Sequence, residues 1–140
     1  MTIDARSYLK SIRSAELQLQ LKRKQVSDLR ERLTSISAPM DKEVVSHTPN
    51  VGVMADIVAM IVDMETEINK QSAEMILREG RAYELLNMLE PDYSSLLIEH
   101  YIKGKRMTEI SKEHHLELRW AKQKVSNALA ELQKILDQQN

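Results

Sequence analysis

Polar side chains suited to contact with a nucleic acid lie close together near the end of the chain. The run from Arg119 to Asn127 holds Arg, Lys, Gln, Ser and Asn residues. Arginine suits the edge of guanine, glutamine and asparagine suit adenine, and lysine and serine often bind phosphate. If about five cationic groups neutralise phosphates, log K plotted against log salt has a slope of about −4 to −5. These side chains could therefore recognise a nucleic acid through hydrogen bonds and electrostatic attraction.

Other titratable residues are weaker candidates for chemistry. His114 and His115 are adjacent, so they point in different directions on a helix, and no third metal ligand lies near them. Two acidic pairs lack a nucleophile motif and are interpreted as solvated: Asp56/Asp63 and Glu65/Glu67. The chain has no Cys, which excludes disulfides, thiolate metal sites and Cys nucleophiles. We expect neither an enzyme nor a metal or other cofactor.

Helices that would position the polar run can be placed around it. Pro is tolerated in a first helical turn, so Pro91 allows a helix from about Asp92 to Lys103, and Gly104 is a natural cap for its end. A short helix from Glu109 to about His114 follows, with Thr108 as its expected N-cap. The residues expected to face the core here are Leu96, Leu97, Tyr101 and Ile110.

The last helix is expected from about Leu118 to Leu136, after a turn through 115–117. Its core stripe is Ala121, Val125, Ala128, Leu132 and Ile135/Leu136. Short helices, a turn and a longer basic helix satisfy the geometry of a helix-turn-helix, whose last helix enters the major groove of DNA. The residues expected to contact DNA are Lys105, Arg106, Thr108, Arg119, Trp120, Lys122, Gln123, Lys124, Ser126 and Asn127. An alternative for Trp120 is packing against Tyr101 or the preceding helices.

Charge is divided unevenly along the chain, although its net value is only −1. Residues 1–102 hold 12 Lys/Arg against 16 Asp/Glu, while residues 103–140 hold 8 against 5. A positive module joined to a negative one is common among nucleic-acid binders. The division therefore favours a DNA-binding domain at 90–140.

Residues 1–89 are expected to form an antiparallel coiled-coil hairpin of two long helices with a loop at 38–53. Both helices repeat apolar residues at alternating steps of three and four, which is the seam of a helix that packs on a partner. The first seam is Tyr8, Ile12, Ala15, Leu19, Lys22, Val26, Leu29, Leu33 and Ile36. The second, on a helix from about 53 to 89, is Met54, Ile57, Ile61, Met64, Ile68, Gln71, Met75, Arg78, Ala82, Leu85 and Leu89.

The start of the second helix is apolar in nearly every direction. Between Val53 and Met64 only Asp56 and Asp63 are polar, so one partner helix cannot cover this segment. Self-association as a homodimer is the preferred explanation, and folding back of the 39–52 loop is the alternative. The residues expected to carry oligomerisation are Met54, Ile57, Val58, Ile61, Val62, Met64 and Ile68.

Composition predicts an all-α protein. Gly and Pro are scarce at three each, Phe is absent, and good helix formers supply the apolar content. No signal peptide is visible, and the most apolar window is too short to span a bilayer. We therefore expect a cytoplasmic protein without a membrane partner or a small-molecule substrate.

The C-terminal motif resembles a known family. The run Tyr101-Ile-Lys-Gly-Lys-Arg-Met-Thr-Glu-Ile-Ser111, followed by Trp120-Ala-x-x-x-Val-x-x-Ala-x-x-x-Leu132, resembles region 4 of sigma-70 factors. The whole chain looks like the small region-4-like proteins of Gram-positive phages, related in style to the ArpU and RinA late-transcription regulators. This resemblance implies promoter binding and positioning of host RNA polymerase.

The sequence departs from the region-4 pattern at the recognition helix. Ser111 stands where Ala is usual. Glu117 stands where Ser or Thr usually caps the helix, and Leu118 follows it. A carboxylate suits a helix N-terminus but repels a phosphate. Two rival functions therefore stay open: a small-terminase-like DNA-packaging protein, and a protein-binding module that uses the region-4 fold without DNA.

Overall fold

The structure, a computed structural model, describes residues 3–37 and 51–139, and the regular secondary structure of these residues is helical, with no strand. The helices are α1 (Ala5–Ser37), α2 (Val51–Leu86), α3 (Pro91–Leu97), α4 (Met107–Glu113) and α5 (Leu118–Gln139), and a π-helical segment (Ile98–Ile102) continues α3. The prediction of an all-α protein is confirmed. No helix in the described ranges is both long and apolar enough to cross a membrane.

The two long helices follow from a lack of helix breakers. No Gly or Pro lies within α1, and Gly80 is the only Gly inside α2 beyond its first turn. The second helix was expected from about residue 53 to Leu89, after a loop at 38–53. In the structure, residues 51–53 already belong to α2. Residues 38–50 lie outside the described residues. At the other end α2 stops at Leu86, because Met88 and Leu89 donate short-range backbone hydrogen bonds to Leu85 and Leu86.

The chain divides into two compact units. The helix-pair unit comprises residues 17–74, and the composite unit comprises Met1–Glu16 together with Met75–Asn140. The C-terminal helices therefore share one unit with the first turns of α1 and the last turns of α2. The domain boundary expected between residues 89 and 90 stays a prediction.

In the helix-pair unit, α1 and α2 run in opposite directions. Lys22 Nζ donates to Gln71 Oε1 at 2.9 Å, and Arg30 Nε donates to Glu65 Oε2 at 2.9 Å. The residue numbers of the partners on α2 therefore decrease as the residue numbers on α1 increase, as they do in an antiparallel pair. The buried residues of this unit are the expected seam positions Leu19, Val26, Ile61 and Ile68. Lys22 and Gln71, the polar seam residues of this unit, bind each other, so neither is left without a partner in a half-buried layer.

The composite unit has one apolar core built from all of its elements. Leu9 of α1, Leu86 of α2, Leu97 of α3, Ile110 of α4 and Leu132 of α5 are fully buried in it. The expected core residues Leu96, Tyr101, Ala121, Val125, Ala128 and Leu136 are buried as well. Ile135, the alternative to Leu136, is half-buried. This core fixes which face of α5 is left for solvent.

The helix expected at 92–103 is not a single α-helix. α3 begins at Pro91 and ends at Leu97, and the chain then widens into the π-helical segment. The Lys103 N–H donates to the Ile98 carbonyl at 2.9 Å, which closes a wider turn than the α-helical one. Gly104 follows with φ 73°, a left-handed conformation that Gly adopts without steric cost. Its expected role as a C-terminal cap is consistent with that conformation.

Candidate nucleic-acid interface

Burial of one face of α5 defines the opposite face as a candidate interface. Arg119, Gln123 and Asn127 recur every four residues, so they lie on one side of the helix. All three are exposed, as are Trp120, Lys122 and Ser126 beside them, while Lys124 is half-buried. Lys122 and Lys124 are two positions apart, so they flank this face on opposite sides. We call this surface the α5 face: Arg119, Trp120, Lys122, Gln123, Lys124, Ser126 and Asn127.

Two contacts organise the α5 face. The guanidinium of Arg119 lies over the ring of Trp120, with Cζ 5.2 Å from the ring centroid, within cation–π range. Trp120 is 53% exposed, so packing against Tyr101 or the preceding helices does not account for it. Gln123 Nε2 donates to Asn127 Oδ1 at 3.0 Å. These contacts hold an aromatic ring, a guanidinium and two amides on one exposed surface.

The turn before α5 uses a left-handed histidine. His115 has φ 55°, the only positive φ among the described non-Gly residues. The N–H of Leu116 donates to the Ser111 carbonyl at 2.8 Å, a bond typical of a helix that ends in a left-handed residue. The chain then enters α5 at Leu118, with Glu117 exposed and Leu118 37% exposed. The tip of α5 therefore presents a carboxylate and an apolar side chain to solvent.

The expected N-cap of α4 is wrong by two residues. The helix begins at Met107, and the cap is Arg106, whose backbone is extended with φ −73° and ψ 149°. No side chain caps this helix end. Thr108 lies inside the first turn instead, and its carbonyl accepts a hydrogen bond from Ser111 Oγ at 2.9 Å. The extended residue is Arg106, so the helix begins at the next residue, Met107. Thr108 is therefore already inside the helix, and its hydroxyl cannot serve as the N-cap.

A polar network joins the π-helical segment to α4. Glu99 accepts a hydrogen bond from His114 Nε2 at 2.8 Å, and its backbone carbonyl accepts one from the Lys105 N–H at 2.9 Å. Lys105 Nζ in turn lies 2.9 Å from Glu113 Oε2 and 4.0 Å from Glu99 Oε1. The hydrogen bond to Glu113 raises the pKa of Lys105 above its ordinary value. The charge of Lys105, which the sequence predicts as a DNA contact, is therefore paired within the chain.

The same network gives His114 and His100 structural roles. His114 pairs with Glu99, and the described residues contain no group of three His, Cys, Asp or Glu that could hold a metal ion. His100 Nδ1 donates to the Lys105 carbonyl at 2.8 Å, and its ring meets that of Tyr101 edge-on at 4.7 Å. Sequence reasoning did not select Glu99. Its partner His114 is fifteen positions away, and the two residues meet only because the chain turns at 103–106.

The first helix contributes residues to this region that sequence reasoning did not select. Arg6 and Lys10 line a cleft of about 330 Å³ together with His100, Lys122 and Ser126. Lys122 and Ser126 belong to the α5 face as well. Arg6 and Lys10 lie more than a hundred positions from α5 in the sequence, so no local pattern could have joined them to it.

The residues expected to carry oligomerisation are divided by the structure. Ile61 and Ile68 are buried inside the helix-pair unit, so they are not available to a second chain, contrary to expectation. Met54, Ile57 and Met64 are half-buried. Val58 and Val62 are 46% and 49% exposed. Of these seven residues, Val58 and Val62 are therefore the exposed ones.

No protein-family model, curated protein sequence or solved structure matches this chain. The relationship to sigma-70 region 4 and to phage regulators therefore stays a prediction from the motif.

Proposed function

We propose that this protein is a transcriptional regulator of the phage or prophage type that binds promoter DNA through a helix-turn-helix. The observation that carries the proposal is the α5 face, where cationic and amide side chains are exposed opposite a fully buried stripe. In this account α4 crosses the DNA backbone and the first turns of α5 enter the major groove. The composite unit supplies the rigid support that such readout needs.

The side chains of the α5 face suit both kinds of DNA contact. Arg119 suits a guanine edge, and Gln123 and Asn127 suit adenine edges. Lys122 and Lys124 flank them and suit the two phosphate backbones that border a groove. Arg119 and Trp120 both lie on the surface. On binding, the Arg119 guanidinium would either separate from the Trp120 ring or enter the groove together with it.

The helix-pair unit supports dimerisation in this proposal. Its two helices run antiparallel within the chain, and Val58 and Val62 would meet their counterparts in a second copy. A twofold dimer presents two recognition helices, which matches a palindromic site and multiplies the affinity of each. Contact with host RNA polymerase, which the region-4 resemblance implies, would accompany DNA binding.

Selection from a pool of random duplexes, followed by an electrophoretic shift with the enriched site, tests the proposal. We expect binding that weakens steeply with salt, with a slope of about −4 to −5 in log K against log salt. Lys122→Ala with Lys124→Ala should weaken binding at least tenfold. Lys24→Ala with Lys70→Ala, two exposed cations of the helix-pair unit, is the matched control and should bind as the wild type does. No enrichment, or equal binding by both double variants, would sink the proposal.

A protein-binding module is the second candidate, favoured by the tip of α5. Glu117 would repel a phosphate, while Leu118 and Trp120 offer an apolar contact. Recovery of RNA polymerase subunits from nuclease-treated lysate, lost on Leu118→Ser and retained on Lys122→Ala with Lys124→Ala, would favour this candidate. Oligomer size separates a packaging protein from both, because small-terminase-like assemblies are rings of eight or more subunits.

A further inference from the structure

The cleft beside α5 is lined by positive charge from two helices far apart in the sequence. Arg6 and Lys10 come from α1, Lys122 comes from α5, and His100 comes from the π-helical segment. None of the described residues that line it is acidic. Its floor is the edge of the core at Tyr101 and Val125, both nearly fully buried. A shallow cleft of this kind suits a flexible anion that is held mainly by charge.

A specific contact anchors the first turn of α1 on α5. The Ala5 N–H donates to Gln133 Oε1 at 2.7 Å, and Gln133 Nε2 donates to the Ile3 carbonyl at 2.7 Å. Ala5 and Leu9 are buried in the core of the composite unit. Gln133 lies two turns beyond Ser126 on α5, so this anchor sets Arg6 beside Ser126. The position of Arg6 and Lys10 is thus built into the fold.

The cations of the cleft are available for a ligand. Among the described residues, Arg6, Lys10 and Lys122 form no ion pair, whereas Arg30 pairs with Glu65 and Lys105 with Glu113. Asp4 lies near Arg6 and Lys10, and its carboxylate accepts a hydrogen bond from the Ser7 N–H at 2.9 Å. Arg6, Lys10 and Lys122 are exposed, so an anion can reach their charged groups without a change in the fold.

We propose that Arg6 and Lys10 bind DNA phosphates, and that the first helix is therefore part of the DNA interface. The inference rests on the proposed function and extends it beyond the helix-turn-helix. Lys122 and Ser126 belong both to the α5 face and to the cleft, so a strand bordering the groove that α5 enters would pass over Arg6 and Lys10. The guanidinium of Arg6 can bind two phosphate oxygens at once, and the Lys10 ammonium acts as a point charge.

Fluorescence anisotropy with the selected duplex, measured across a range of salt concentrations, tests this inference. Arg6→Ala with Lys10→Ala should reduce the magnitude of the salt slope by about 2, because two phosphate contacts are lost. Affinity at about 0.15 M salt should fall roughly tenfold. The loss should be the same for the selected duplex and for an unrelated one, since phosphate contacts carry no sequence information.

Two further variants make the result decisive. Arg6→Lys with Lys10→Arg keeps both charges and should retain the wild-type slope. Lys24→Ala with Lys70→Ala removes two charges from the helix-pair unit and should also leave the slope unchanged. Circular dichroism should show wild-type helicity for all three double variants, because every substituted side chain is exposed.

The outcomes separate this inference from the proposed function. If the wild type binds DNA but Arg6→Ala with Lys10→Ala keeps its affinity and slope, the first helix lies outside the interface and the inference is wrong. If that variant instead loses an acidic protein partner while it keeps DNA binding, the cleft serves a protein and the inference is likewise overturned. If the wild type binds no duplex, the proposed function fails, and the inference fails with it.

Discussion

The two units of this chain differ in how much core they enclose. In the composite unit, side chains from every helix enclose one core, and the α5 face exposes mainly cationic and amide groups beside Trp120, while Ile76 and Leu77 of α2 are exposed as well. In the helix-pair unit the buried residues form a thin line, and apolar side chains stay exposed on α2. Val51 is 80% exposed, Val53 53% and Met60 46%.

The difference agrees with the roles that we propose for the two units. The composite unit encloses an apolar core and carries exposed cations on the α5 face, the surface to which our proposal assigns DNA binding. In the described part of the helix-pair unit, apolar side chains of α2 stay exposed beside α1, and our proposal assigns dimerisation to this surface. Binding and assembly are thereby assigned to separate parts of the chain.

Substitution in the core of the composite unit should have the largest effect. Leu97 is fully buried, so Leu97→Ala should lower the free energy of unfolding by about 2–5 kcal/mol, through lost burial and the cavity that remains. Leu77→Ala, at a 56% exposed position of α2 in the same unit, is the matched control and should change it by less than about 0.5 kcal/mol. Urea unfolding followed by circular dichroism measures both. Equal losses would mean that the core is not closed as described.

Substitution on the outer side of α2 should change assembly and leave the fold intact. Val58→Asp with Val62→Asp places two charges on the exposed apolar surface, so a dimer should dissociate to a helical monomer in sedimentation velocity. Ile61→Asp, at a neighbouring buried position, should instead reduce helicity and thermal stability. A dimer that survives the double substitution would show that Val58 and Val62 do not form the interface.

Gly104 and His115, the two described residues with positive φ, should respond to substitution in opposite directions. Gly104→Ala forces a side chain into a left-handed conformation and should cost about 1–2 kcal/mol. The added Cβ would also lie 2.6 Å from the Arg13 guanidinium, but the end of that flexible side chain can move away. His115→Gly removes the same kind of strain and should stabilise the protein by up to about 1 kcal/mol.

Thermal unfolding measures this pair of variants. Ala substituted for the exposed Ser126, a helical position of negative φ, is a control for side-chain removal without a conformational change. If Gly104→Ala and His115→Gly shift the melting temperature in the same direction, left-handed backbone strain does not explain the effect of both substitutions.

The smallest effect is expected at Glu79 of α2. Burial, followed by repulsion from Glu16, raises the pKa of Glu79 above its ordinary value of 4.5. A raised folded-state pKa gives stability that is present below pH 4.5 and is lost as the pH rises through the folded-state value. Glu79→Gln should therefore raise the melting temperature slightly at pH 7, and the gain should shrink near pH 4. Glu84→Gln, an exposed position on the same helix, should show no such pH-dependent gain.

Much of the fold could be predicted because helical sequence signals are local. The three- and four-residue spacing located α1 and α2 to within a few residues, and the stripe from Ala121 to Leu136 identified the buried face of α5. The N-cap of α4 and the π-helical segment could not be predicted in the same way. They depend on how Glu99, Lys105 and His114 meet after the chain turns, which is a matter of tertiary packing.

The candidate site was only half accessible from the sequence. Arg119 to Asn127 could be selected because they share one helix with a recognisable motif. Arg6 and Lys10 could not, since tertiary contacts bring them beside Ser126: the bonds of Gln133 to Ala5 and Ile3, and the burial of Ala5 and Leu9. The pairing of Lys105 with Glu113 could not be predicted either, because it appears only in the folded chain.

Fluorescence of Trp120 during titration with the selected duplex tests the central claim most directly. It is the single Trp of the chain, it is exposed, and it lies within the α5 face, so its emission reports on that surface alone. We predict quenching and a blue shift that saturate with DNA binding, reverse at high salt, and require tenfold more DNA in the Lys122→Ala, Lys124→Ala variant. Unchanged Trp120 emission while anisotropy shows saturated binding would contradict the claim that α5 enters the groove.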